Sequence, residues 1–255
     1  MAPTVVPGTS DAVFVITGAN RGLGIEHVKQ FLEKTKVKIV ATARQPSKAD
    51  ELNELVKQYS DRLSIIELDT SSEKSIEAAS QQVAKLHPEG VDLVLNNAGT
   101  QEPISRAIET SGSEYTRVLN INVVGPFLVT KYFLSLLKKK QTRVVVNTSS
   151  ICGSISANFK GDFGGYLLPY NSSKAAINMQ TAVLANDLKE EGFTFLALHP
   201  GWVQTDMGRA AEGTLGGKAP LDPESSIAGQ QKVIMGLTRY QNGQYLDYQG
   251  KKMDY

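Results

Sequence analysis

The chain has 255 residues, 41% of them hydrophobic and 21% charged, with a formal net charge of +1. These are the proportions of an ordinary globular protein, and basic residues spread along the chain argue against nucleic acid or an anionic membrane as a partner. One cysteine, Cys152, excludes an intramolecular disulfide and points to a reducing compartment, the cytoplasm.

Residues 1–4 lack the charged and apolar regions of a secretory leader, and no later apolar run reads as long enough to cross a bilayer. From there, strand and helix signals alternate. Residues 12–17 (AVFVIT) read as a short buried strand and 24–34 as a helix. Residues 38–43 read as a second strand, followed by a charged amphipathic helix over about 48–59. The apolar runs at 63–68, 93–96, 144–148 and 193–198 repeat the strand signal, with helices between most of them. Lys138-Lys139-Lys140 reads as the cationic end of one such helix. Strands rich in Val, Ile and Leu on both faces suit a parallel sheet covered on both sides. The predicted fold class is therefore α/β: one Rossmann domain over 1–255, a doubly wound parallel sheet of about seven strands flanked by helices.

The turn Thr17-Gly18-Ala19-Asn20-Arg21-Gly22-Leu23-Gly24 lies where the first strand becomes the first helix. Glycines there let a pyrophosphate approach the N–H groups of the helix N-terminus. A site for NAD places an acidic residue at the end of the second strand. Here that strand runs Ala41-Thr42-Ala43-Arg44, with no carboxylate. Arg44 and Arg21 suit a ribose 2′-phosphate instead, so the expected cofactor is NADP(H).

Tyr170-Asn171-Ser172-Ser173-Lys174 sets a phenol and an ammonium four residues apart, on one face of a helix predicted from Tyr170 to about Lys189. A neighbouring cation lowers a phenol's pKa, and Lys174 is expected to do this for Tyr170. The same spacing at Tyr248 and Lys252 falls in a Gly-containing tail and reads as coincidence. A strand ending in Ser149-Ser150 precedes the helix. Ser150 suits donation to a substrate carbonyl, although a one-residue slip would exchange it with Ser149. Further on, Pro126 lacks the N–H that would bond the carbonyl of Asn122, leaving it free to hold a water. Asn120 is the nearby rival. The sequons at Asn147 and Asn171 fall among these residues and read as chance. His27, His87 and His199 have no Cys or carboxylate at ligand spacing, so no metal site is predicted.

The glycine motif, Asn96-Asn97-Ala98-Gly99, Asn122, Ser150, Tyr170 with Lys174, and Pro200-Gly201 together resemble the short-chain dehydrogenase/reductase family over nearly the whole chain. The resemblance implies hydride transfer at the nicotinamide C4, with Tyr170 as general acid, Ser150 orienting the carbonyl, Lys174 supporting the phenol and holding the ribose, and Asn122 anchoring a relay water. It also implies that Gly18, Asn20, Arg21, Gly22, Leu23, Gly24, Asn97, Ala98 and Gly99 surround the cofactor. Asp69 with Thr70 would meet the adenine, and Pro200, Gly201, Val203 and Thr205 the nicotinamide end. The long gap between Ser150 and Tyr170, the ending Asn242-Gly243-Gln244-Tyr245-Leu246-Asp247-Tyr248, and Arg21 beside Arg44 resemble the carbonyl-reductase branch, which includes sniffer-type, C-factor-like and fungal polyketide ketoreductases.

Two stretches are assigned to the substrate. Residues 154–169 carry Phe159, Phe163, Tyr166, Leu167 and Leu168, which with Trp202 and Met207 suit an apolar pocket for a bulky or aromatic carbonyl compound. Residues 206–224, rich in Gly and Ala, suit a lid. Relatives imply a homo-oligomer, a dimer or tetramer. The rival reading is an NADP(H) sensor without turnover, which needs the glycine motif but not the Ser–Tyr–Lys set.

Overall fold

A computed structural model describes residues 4–255. Its chain order is β1 (Val13–Ile16), α1 (Gly22–Lys34), β2 (Lys38–Ala43), α2 (Asp50–Gln58), β3 (Leu63–Glu67), α3 (Glu73–Leu86) and β4 (Leu93–Asn96). Then come α4 (Gly112–Leu119), α5 (Gly125–Lys138), β5 (Val144–Thr148), α6 (Ile155–Lys160), α7 (Leu168–Asp187) and β6 (Thr194–His199). The short α8 (Asp206–Ala210) and α9 (Glu212–Leu215) precede α10 (Pro223–Met235) and β7 (Gln244–Asp247). All seven strands are parallel, in the order β3-β2-β1-β4-β5-β6-β7. The order reverses beside β1, between β1 and β4, and a doubly wound sheet binds ligands at such a point, outside the carboxyl ends of its strands.

The predicted strands appear within a residue or two of their expected bounds. The seventh, β7, was not placed by its sequence, because only two of its four residues are fully covered by the fold. Beyond it, Lys252 bridges back to Leu246, so the second Tyr–Lys match is not on a helix. The sheet is buried on both faces. One side carries Phe14, Ile16, Val28, Phe31 and Leu52, the other Val15, Val94, Val129, Phe133 and Phe195.

One expectation needs correction. The stretch Gly112–Lys138 is long and apolar enough to cross a membrane by length and composition. In the fold it breaks into α4, a widened π turn over Asn120–Val124, and α5, whose Val129, Phe133 and Leu137 pack into the core. The π turn falls where Pro126 withdraws a backbone donor, a known cause of local widening.

His27 of α1 is fully buried, stacked on Phe31, with Nε2 3.3 Å from Gln230 Oε1 of α10. Burial lowers its pKa from 6.5 to about 4, so the folded chain keeps it neutral where the unfolded chain protonates it. Burial lowers His199 to about 4 as well. A depressed histidine stabilises fully above its unfolded pKa and loses that contribution as pH falls through the window from 6.5 towards 4. His27 alone is expected to remove about 3 kcal/mol across that window. Urea unfolding as a function of pH checks this: His27→Gln should flatten the acid limb, and an unchanged slope would contradict it.

Candidate active site

A cleft of about 660 Å3 runs along the carboxyl ends of the strands, from β3 and β2 past β1 and β4 to β5 and β6. Its floor is the turn after β1. Gly18 adopts φ +62°, and a Cβ there would lie 2.8 Å from Ala98 Cα. The turn is stitched to the end of β4: Thr17 Oγ1 accepts from the N–H groups of Asn97 and Ala98, each at 3.0 Å, and Asn97 Nδ2 donates to the carbonyls of Thr17 and Gly18. Gly18, Asn20, Arg21, Gly22 and Leu23 line the cleft, but Gly24 does not. A Cβ on Gly24 would sit 2.1 Å from the Gly18 carbonyl oxygen, so this glycine serves close packing of helix on turn. The first turn of α1 has no acidic residue and no side-chain cap, leaving its N–H groups directed at the cleft.

Arg44, Asp69 and Thr70 line the end beside β2 and β3. Ser71 engages one Asp69 oxygen, through its N–H at 2.9 Å and its hydroxyl at 2.7 Å. Ala98 and Gly99 line the middle; Ser150, Tyr170, Lys174, Pro200, Gly201, Val203 and Thr205 line the other end.

The two serines differ in what holds their side chains. Both serines line the cleft, but Ser149 is fully buried and its hydroxyl is committed to Asn178 Oδ1 at 2.5 Å. Ser150 Oγ accepts from Cys152 N–H at 3.2 Å and lies beside the Tyr170 hydroxyl. Beneath them, a buried ladder from Asn96 to Asn147 to Thr181 fixes α7 on β4 and β5, each step 2.9 Å.

Lys174 Nζ donates to the Thr148 carbonyl at 2.7 Å and lies 5.5 Å from the centroid of the Tyr170 ring. The expected lowering of the phenol's pKa is not what the fold produces. Burial pushes the Tyr170 phenol up, with Cys152 and Glu102 adding to the effect, and burial pulls Lys174 down to about 8. Desolvation disfavours the charged form of each group. The Cys152 thiol is buried beside them and pushed up for the same reason.

Asn122 is buried, and its side chain is fully engaged. Its Oδ1 accepts from Thr100 N–H at 2.8 Å, while Nδ2 donates to the Thr100 carbonyl at 2.7 Å and to Ser173 Oγ at 2.9 Å. It braces the loop after β4 against α7 and does not itself line the cleft. Any water it holds must meet its backbone carbonyl.

The substrate residues divide. Trp202 and Met207 line the cleft, joined by Phe163 and Leu167, while Phe159 and Tyr166 do not. Phe159 is on α6, an unforeseen short helix, and is 92% exposed. Tyr166 instead pairs by backbone with Arg106, and its carbonyl accepts from Asn171. Over the cleft, Trp202 Nε1 donates to the Gly208 carbonyl at 2.9 Å, Gln101 reaches the Met207 carbonyl, and Arg21 pairs with Asp206 at 3.4 Å. Sequence reasoning missed Thr148, Thr100 and Gln101, whose roles come from backbone groups or from distant partners.

Residues 12–215 match the short chain dehydrogenase family. The chain belongs to that family. An uncharacterized oxidoreductase of Schizosaccharomyces pombe is 35% identical to this short-chain dehydrogenase over 253 residues, covering 95% of this chain and 97% of the relative. Among solved structures, an NADPH-bound carbonyl reductase from chicken fatty liver superposes with a TM-score of 0.87 at 33% identity, over 97% of this chain and 100% of that one. The carbonyl reductase Sniffer of Drosophila melanogaster does so with a TM-score of 0.87 at 30% identity, over 96% and 99%. The matched range of this oxidoreductase spans the turn after β1 and the segment from Ser150 to Lys174.

Proposed function

We propose that this short-chain dehydrogenase reduces a bulky or aromatic ketone or aldehyde to an alcohol with NADPH, using Tyr170 as proton donor. The observation that carries the reading is the meeting of Ser150, Tyr170 and Lys174 in one cleft with a phosphate-sized cradle after β1. The residues fit the cofactor: Gly18 and Gly24 leave no room for a Cβ, the first turn of α1 offers uncapped donors, and Arg44 and Arg21 stand at the ribose end. The resemblance to carbonyl reductases, one of them bound to NADPH, supports the same activity here.

Bound in this cleft, NADPH would contribute hydride chemistry next to the carbonyl carbon. The Ser150 hydroxyl donates to the substrate carbonyl oxygen and holds it beside the phenol. Tyr170, which burial keeps protonated, delivers its proton as charge grows on that oxygen. Lys174, fixed by the Thr148 carbonyl, sets a positive charge behind the phenol and stabilises the phenolate that remains. Phe163, Leu167, Trp202 and Met207 give the substrate an apolar wall. On the outer faces of α5 and α7, Phe127, Met179 and Val183 stay exposed, which supports pairing of copies through these helices.

The test is loss of reduced-nicotinamide absorbance with aromatic ketones, quinones and diketones, with NADH as control. Turnover with NADPH supports the reading. Tight NADPH binding without turnover on any carbonyl would favour a sensor instead.

The lysine also predicts a pH profile. Its ammonium is present below about 8 and lost above it. The value of kcat/KM should therefore fall as pH rises through about 8, since this ratio reports groups of the free enzyme. A profile flat through that region would contradict the role given to Lys174.

A further inference from the structure

We infer that Tyr245 of β7 is a positioning residue for Ser150, reaching it from the far edge of the sheet. The inference rests on the reading that Ser150 orients the substrate carbonyl. Tyr245 is 0% exposed and its hydroxyl donates to the Ser150 carbonyl at 2.7 Å. The path is open because of a small residue between them. Tyr245 pairs with Ala197 of β6, which pairs with Asn147 of β5, so the three share one face of the sheet. A methyl group at Ala197 leaves the phenol ring room to cross β6 and meet the end of β5.

The segment it meets is the turn that carries Ser150. Gly153 N–H also donates to the Ser150 carbonyl at 2.8 Å, and Ser154 N–H to that of Ile151 at 2.9 Å. Ile151 N–H donates to His199 Nδ1 at 3.2 Å, so β6 holds the next residue. The turn is also pressed against the catalytic helix: a Cβ on Gly153 would lie 2.5 Å from the backbone carbon of Lys174. A turn clamped this tightly sets Ser150 and Lys174 together. Among the described residues, the Tyr245 hydroxyl makes the hydrogen bond that reaches this clamp from β7; it acts on the backbone of Ser150 and also faces the side chains of Ser149 and Asn178. Without it, the Ser150 carbonyl keeps only its bond from Gly153, and the serine hydroxyl loses one constraint on its direction. Preorganised donors lose catalytic value when displaced by fractions of an ångström.

Tyr245→Phe keeps the ring and removes only the hydroxyl. Alone it should lower kcat about tenfold, with the NADPH Kd unchanged within about twofold. In a Ser150→Ala background the same change should cost nothing further, because the residue acts through Ser150. Equal losses in both backgrounds, or an unchanged kcat, would overturn the inference. Amide hydrogen exchange at 151–154 gives a readout that needs no substrate: it should speed up in Tyr245→Phe, and unchanged exchange would also overturn it. Faster exchange in Tyr245→Phe, together with a wild-type chain that reduces no carbonyl, would leave the positioning intact and sink the proposed function instead.

Discussion

Tyr170→Phe is expected to lower kcat for carbonyl reduction by at least about a hundredfold while NADPH binds as in the wild type, the range lost with a general acid. The change removes one hydroxyl and nothing else. The ring still packs beside Lys174, and Ser150 still reaches the carbonyl oxygen. What disappears is the phenol hydroxyl beside the Ser150 side chain, which burial keeps protonated at neutral pH. An elevated phenol pKa suits this direction of reaction: the group must hold its proton until the carbonyl oxygen becomes basic. Steady-state turnover, together with the fluorescence of bound NADPH, separates the two effects. A kcat within a fewfold of wild type would show that solvent or another side chain supplies the proton.

Arg44→Ala is expected to weaken NADPH by tenfold or more and leave NADH nearly untouched. Arg44 is exposed at the end of β2, lines the cleft, and has no carboxylate partner among the described residues. A hydrogen bond to a charged group contributes about 1.5–3 kcal/mol, and about 1.4 kcal/mol is tenfold in affinity. Arg21 should matter less, because it is shared with Asp206 across the mouth of the cleft, an exposed pair of little strength. Titration of both variants with each dinucleotide reads this directly. An equal loss for NADPH and NADH would mean that Arg44 supports the fold of the turn and not the 2′-phosphate.

Much of this molecule was legible because its signals are local. Six strands show as apolar runs flanked by turns, and the glycine turn and the Tyr–Lys pair each occupy a single segment. The difference between Ser149 and Ser150 was not legible, since the partner that engages the Ser149 hydroxyl, Asn178, lies on another element. The same holds for Tyr245, whose partner lies 95 residues away. Aromatic content misled in the stretch before Tyr170: Phe159 falls on the solvent face of α6, while Phe163 and Leu167 turn inward. The protonation of Tyr170 was misjudged for a related reason. A spacing of four residues brings an ammonium near a phenol, but it says nothing about how far the surrounding fold excludes water. Burial decides that, and it raises one pKa and lowers the other.

The central claim is hydride transfer from NADPH to a carbonyl carbon within this cleft. NADPH deuterated at the nicotinamide C4, incubated with the protein and an aromatic ketone, tests it most directly by mass spectrometry of the product. The account predicts an alcohol carrying one deuterium on the former carbonyl carbon, formed by wild type and lost in Tyr170→Phe. Tightly bound NADPH with no labelled alcohol from any carbonyl compound would contradict it.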